Sequence, residues 1–228
     1  MSQSETALII GAGAGLSASL ARLFATEGMR IALAARQAEK LADLAEQTGA
    51  RCYPCDAGVA EDVDALFRNV VTDLGVPDVV VYNPSRRVRG PFIDLDPGEV
   101  SEAIRVTCYG GFLAGQHAAR LMLERGSGSI LFTGASASVK GYPQSAPFAM
   151  GKFGLRGLAQ SMARELAPMN IHVAHFVIDG GIRGPDQTSD DDARLDPDAI
   201  ARTYLHVHRQ HRSAWTWEVE LRPWVEKF

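Results

Sequence analysis

The chain has 228 residues, of which 46% are hydrophobic and 22% charged, and a formal net charge of −4. That is the composition of one globular domain, and it excludes a disordered, collagenous or low-complexity chain. The mild negative charge gives no electrostatic case for nucleic acid or an anionic membrane surface, and three Cys need no disulfide framework.

No apolar run approaches the ~20 residues that span a bilayer. The start, Met1-Ser2-Gln3-Ser4-Glu5, has no basic region of a secretory signal. A soluble, cytoplasmic protein without a membrane or nucleic-acid partner is expected.

In chain order, short apolar runs alternate with helical spacing. Residues 6–10 form an apolar run that ends at Gly11, and 16–28 repeat Leu16, Leu20, Leu23 and Phe24 at helical spacing. A second strand at 30–34 is followed by a helix at 38–48, a weaker strand at 52–55 and a helix at 59–74. Residues 78–82 are the β-branched run of a strand buried on both faces. A long helix at 98–124, a strand at 129–133, a long helix at 145–166 and a strand at 171–177 continue the series. This βαβ order specifies one α/β domain: a doubly wound parallel sheet between two helical layers, a Rossmann fold. Residues 180–198 break the pattern. They carry five Asp between Asp186 and Asp196 and read as a mobile, solvated loop. A helix at 198–209 and a strand at 216–221 close the chain. Trp215, Trp217 and Trp224 lie near its end, and exposed Trp is costly, so a packed tail is expected.

The strongest local signal is Ile9-Ile10-Gly11-Ala12-Gly13-Ala14-Gly15-Leu16-Ser17. It stands between the first strand and the first helix. Small residues there let the backbone approach a pyrophosphate, and a helix N-terminus supplies free N–H groups. The competing reading is a turn that only packs a helix on the sheet. The second strand ends at Ala34-Ala35-Arg36. An acidic residue there would hold the 2′-hydroxyl of an adenine ribose, whereas an Arg suits a 2′-phosphate. NADP(H) is therefore favoured over NAD(H), against a solvated Arg at a strand end.

These residues resemble the short-chain dehydrogenase/reductase family in its single-domain form, over nearly the whole chain. The Gly turn is similar to the family's Gly-x-x-x-Gly-x-Gly, carried here by Gly11, Gly15 and Ser17. Asp56 matches the adenine-contacting Asp. Tyr82-Asn83-Pro84-Ser85 takes the place of Asn-Asn-Ala-Gly, and Asp179-Gly180 that of Pro-Gly. The resemblance implies a cofactor site of Gly11, Gly13, Gly15, Leu16, Ser17, Arg36, Asp56, Ala57, Asn83, Lys152, Gly180 and Ile182. It also implies a homodimer or homotetramer, with the two long helices and the C-terminal segment as interfaces.

The family's catalytic apparatus is a Ser, a Tyr four residues before a Lys, and an Asn on the preceding helix. The Tyr is the acid/base, the Lys holds the ribose and lowers the Tyr pKa, the Ser binds the carbonyl and the Asn organises a water relay. Lys152 fits the Lys position. The Tyr position reads Phe148, the Ser position Ala135 and the Asn position Thr107. Phe has no proton to give, so the usual mechanism cannot run. Three readings follow. An oxidoreductase could draw its proton from Ser136, Ser138, Tyr142, Ser145, Tyr109 or, through water, Lys152. A silent NADP(H)-binding sensor and a scaffold for a partner chain are the others. If the chain is active, its substrate is a small carbonyl or alcohol.

Weaker signals read as structural. Cys52-Tyr53-Pro54-Cys55 falls in a strand region and lacks a second ligand pair, which suits structural thiols. His206, His208 and His211 suit a capped or solvated helix end, and His172 and His175 point to opposite faces of a strand. No metal site is expected. Arg86-Arg87-Val88-Arg89 follows the fourth strand at the ligand-binding edge, where it could attract an acidic substrate or a cofactor phosphate. A solvated loop is the expected reading.

Overall fold

The computed structural model describes residues 4–184, 187 and 192–226. β1 (Thr6–Ile10), β2 (Arg30–Ala35), β3 (Arg51–Pro54), β4 (Val79–Tyr82), β5 (Gly128–Thr133), β6 (Ile171–Ile178) and β7 (Glu218–Leu221) form one sheet. Every pairing is parallel, in the order β3-β2-β1-β4-β5-β6-β7. The strands are continuous apolar runs because helices cover both faces. Leu8, Ile10, Val80, Tyr82, Ile130 and Phe132 face a layer of α3 (Ala60–Leu74), α5 (Gly110–Arg125) and α6 (Ala146–Leu166). Ala7, Ile9, Val79, Val81 and Leu131 face α1 (Leu16–Thr26), α2 (Ala42–Thr48) and α7 (Pro197–His208). β1 lies between β2 and β4, so the chain turns one way through β3 and then crosses back. That switch opens a crevice beyond the C-terminal ends of β1 and β4.

The expected helix at 98–124 is not one regular helix. α4 (Pro97–Ile104) starts on Asp96, whose carboxylate accepts the Glu99 N–H at 2.9 Å. A π-turn, Arg105–Tyr109, then joins it to α5. A π-turn loosens the backbone ladder, and here the Tyr82 hydroxyl donates to the Val106 carbonyl while the Thr107 hydroxyl accepts the Arg86 N–H at 3.1 Å. The helix expected at 38–48 begins as a 3₁₀ turn, Ala38–Leu41, before α2.

The described residues of the 180–198 stretch are more tied than expected. Ile182 bridges Leu195, and the Asp196 side chain caps α7. Asp186, Asp190 and Asp191 lie outside the described residues. The packed-tail expectation holds for two of the three Trp. Trp215 stacks on His172 at 4.6 Å and Trp217 packs under Arg156, but Trp224 is 78% exposed. His208 is also packed rather than solvated, with its ring between the Ser129 hydroxyl (2.9 Å) and Glu5. Cys55 is buried and Cys52 half-buried, both without a disulfide, and burial pushes the Cys55 thiol up to about 12. Among the described residues no His, Cys, Asp and Glu group could hold a metal, and no helix is long and apolar enough to cross a membrane.

Candidate active site

The turn between β1 and α1 is shaped by its glycines. Gly11 has φ +79, and a Cβ there would lie 2.7 Å from the Pro84 nitrogen. A Cβ on Gly13 or Gly15 would meet no protein atom within 4 Å and would stand in open space. α1 begins with no side-chain cap and no acidic residue in its first turn. Its free N–H groups and positive dipole end therefore border a bare cradle, which fits a pyrophosphate. Ser17 is buried and lines neither of the two cavities that flank the turn. Its hydroxyl donates to the Gly11 carbonyl at 3.1 Å and accepts from the Asn83 amide at 2.8 Å, so it braces the turn. Gly11→Ala should lower stability by roughly 1–3 kcal/mol from backbone strain alone, with the Pro84 clash in addition. A melting temperature equal to wild type would refute that account.

Two cavities meet at Asn83 and Ser85. The larger, 1110 Å³, is lined by Gly11, Gly13, Arg36, Asp56 and Ala57, together with Arg22 and Lys40. The other, 780 Å³, is lined by Gly15, Leu16, Ala135, Ser136, Phe148, Lys152, Gly180 and Ile182. Every expected cofactor residue except Ser17 borders this continuous cleft. Burial acts upward on the Asp56 carboxyl, but the Gly58 N–H and Arg105, at 3.2 Å, hold it below the usual carboxylate range. Thr107 is wholly buried and borders neither cavity. It anchors Arg86 instead.

α6 places Phe148 and Lys152 one turn apart on the face toward β5 and the smaller cavity. Phe148 is 6% and Lys152 2% exposed. The Lys152 ammonium donates to the Thr133 carbonyl at 2.6 Å and lies 5.9 Å from the Phe148 ring centre. Burial, and then the charge of Arg87, push Lys152 down to about 7. Arg87 itself lies 4.4 Å over the Phe148 ring. Arg87, Arg89, Tyr142 and Gln144 join the lining. The arginine loop is therefore part of the site and not merely solvated.

A buried chain holds the Ala135 segment. The Ala135 N–H donates to the Ser138 hydroxyl (3.1 Å), which meets His175 Nε2 (3.3 Å). His175 Nδ1 meets Glu218 (3.1 Å), and Arg156 grips Glu218 with two bonds of 2.6 and 2.8 Å. The order resembles a hydrolase relay, but Ser138 is completely buried and borders neither of these cavities. Ser138 is thus a positioning residue, not a proton donor to substrate. Tyr109 is also set apart, exposed and stacked on Phe112. Ser136, Tyr142, Ser145 and Lys152 remain at the cavity wall.

Burial pushes His175 down to about 4, against an ordinary value of 6.5. Between pH 4 and 6.5 the unfolded chain then binds more protons than the folded one, so stability falls as pH drops through that window. Urea midpoints should show that loss, and His175→Asn should flatten it. An unchanged slope in the variant would exclude His175 as its source.

A family model described as short chain dehydrogenase matches residues 5–191. The chain belongs to the short-chain dehydrogenase/reductase family. The chain is 33% identical over 184 residues to a short-chain dehydrogenase/reductase of Armillaria gallica, covering 77% of this chain and 70% of that one. A solved short-chain dehydrogenase from Rhodopseudomonas palustris is 38% identical, with a TM-score of 0.85 over 96% of this chain and 99% of that one. A metagenomic short-chain oxidoreductase solved in complex with NADP is 26% identical, with a TM-score of 0.86 over 98% and 99% of the two chains.

Proposed function

We propose that this short-chain dehydrogenase binds NADP(H) along the cleft and interconverts a small carbonyl compound and its alcohol, with Lys152 carrying the proton. The bound cofactor would supply or accept the hydride. The observation that carries the reading is the placement of Lys152. It is buried at the cavity wall beside Phe148, with the Thr133 carbonyl as its one acceptor among the described residues and a pKa near neutrality. Phe148 stands at the family's Tyr position and Ala135 at its Ser position, and neither has a proton to give. Near pH 7 both forms of Lys152 are populated, so its ammonium can protonate a bound oxygen directly or through a water.

Arg36 at the end of β2, with Arg22 and Lys40 in the same cavity, supports NADP(H) over NAD(H). The NADP-bound metagenomic neighbour supports the same choice. Tyr109 and Phe112 beside α5, and Met150 and Phe153 on α6, expose aromatic and apolar side chains that suit pairing of two copies. The free thiols suit a reducing, cytoplasmic compartment.

The test is a titration of the pure protein with NADPH and with NADH, followed by nicotinamide fluorescence. Micromolar NADPH binding with weaker NADH binding is expected. Binding of neither would overturn the reading and point to a protein partner.

A further inference from the structure

We infer that the substrate of this cleft is an anion whose carboxylate is held by Arg87 and Arg89 above Phe148. The inference rests on reading the smaller cavity as the substrate end. Of the charged side chains lining that cavity, Arg183 already pairs with Asp196 at 3.2 Å, whereas Arg87 and Arg89 stand beside Lys152 with no described Asp or Glu in the lining. A neutral carbonyl compound would leave Arg87 and Arg89 with solvent alone. A carboxylate would give them a counter-charge.

Both arginine side chains are exposed, but the backbone that carries them is anchored on either side. The Arg86 N–H is held by Thr107 and its guanidinium by Glu99. The Gly90 N–H donates to the Gln144 carbonyl at 3.2 Å. Arg87 and Arg89 lie between these anchors. The Arg87 guanidinium carbon lies over the Phe148 ring, 4.4 Å from its centre. A cation–π contact takes up no hydrogen-bond acceptor, so the N–H groups of Arg87 remain for a ligand carboxylate. Neither arginine pairs with a carboxylate among the described residues, whereas Arg86, Arg105 and Arg156 all do. A bound carboxylate here would also lie near Lys152 and favour its ammonium form. The ligand's charge would thereby keep the transferable proton in place.

A cofactor phosphate is the other anion that could meet these arginines. It has its own cations in the larger cavity, Arg22, Arg36 and Lys40, and the start of α1. The experiment separates the two. Protein saturated with NADP⁺ is titrated calorimetrically with 4-formylbenzoate and with its uncharged methyl ester, in wild type, Arg87→Ala and Arg87→Ala/Arg89→Ala. NADPH affinity is measured for each. Wild type should prefer the acid by at least about tenfold, the size of one charge-assisted pair. The double variant should lose that preference while NADPH affinity stays within about twofold. Equal affinity for acid and ester, or no binding of the acid at millimolar concentration, overturns the inference. A tenfold loss of NADPH affinity in Arg87→Ala also overturns it and assigns Arg87 to the cofactor. If wild type binds no nicotinamide cofactor, the function proposed above fails. The same acid and ester comparison on the free protein then decides this inference, because the Phe148 contact of Arg87 and the backbone anchors around both arginines involve no cofactor.

Discussion

Lys152→Met is expected to lower NADPH-dependent carbonyl reduction by roughly 10²–10⁴-fold, the usual loss of a positioned acid/base, while the protein stays folded. Met fills a similar volume without charge, and the lysine is 2% exposed, so the exchange removes a costly buried ammonium. Thr133 keeps its side-chain bond to Tyr204 at 2.9 Å, which preserves the end of β5. The pH dependence carries the diagnosis. With Lys152 near 7 in the free protein, the ammonium is lost as pH rises through that value, and kcat/KM for reduction should fall with it. Stability should move the opposite way. Above pH 7 the unfolded chain, with its lysine at 10.5, binds more protons than the folded one. Folding free energy should therefore rise with pH from 7 toward 9, and the variant should lose that rise. A variant that keeps a wild-type rate would move the proton source to Ser136, Tyr142 or Ser145.

Arg36→Asp is expected to weaken NADPH binding by about 100-fold or more and to leave NADH bound as tightly or better. Two charge-assisted bonds to a 2′-phosphate account for roughly that factor, and the new carboxylate adds repulsion. The carboxylate would also restore a partner for a free ribose 2′-hydroxyl at the strand end. Arg36 borders the larger cavity directly after β2, with Lys40 one 3₁₀ turn further on. Fluorescence titration of both cofactors measures the switch. Unchanged affinities would make Arg36 a solvated strand-end residue and would move cofactor choice to Arg22 or Lys40.

The sheet was legible because its strands are buried on both faces and therefore read as unbroken apolar runs. The glycine-lined cleft was legible because the glycines sit where a strand meets a helix, a local feature. The break at Arg105–Tyr109 was not, since Tyr82 and Arg86 fix it from more than twenty positions earlier in the chain. Arg87 and Arg89 are exposed, as a solvated loop implies, and their second role, lining the smaller cavity, is tertiary for the same reason. Three arginines on a loop look solvated until Thr107 and Gln144 are seen to pin it. Their place after β4, at the ligand-binding edge, was the one available signal. Ser17 and Ser138 carry hydroxyls in suggestive positions, but only tertiary packing shows that both are buried braces. Trp224 shows the limit of a composition rule, because Trp is packed on average and not at every position.

The chain from Glu218 through His175 to Ala135 makes completion of the site depend on the order of synthesis. β7 is the last of the seven strands to leave the ribosome. At ~5–20 residues per second, the stretch from Ile178 to Glu218 takes a few seconds to add. During that time β6 is an open edge, and His175 lacks the carboxylate that orients it. The glycine turn and the adenine half are already encoded by then, whereas the Ala135 wall is not yet braced. A message cut short within the final strand should therefore yield an aggregation-prone chain, not a weakly active enzyme.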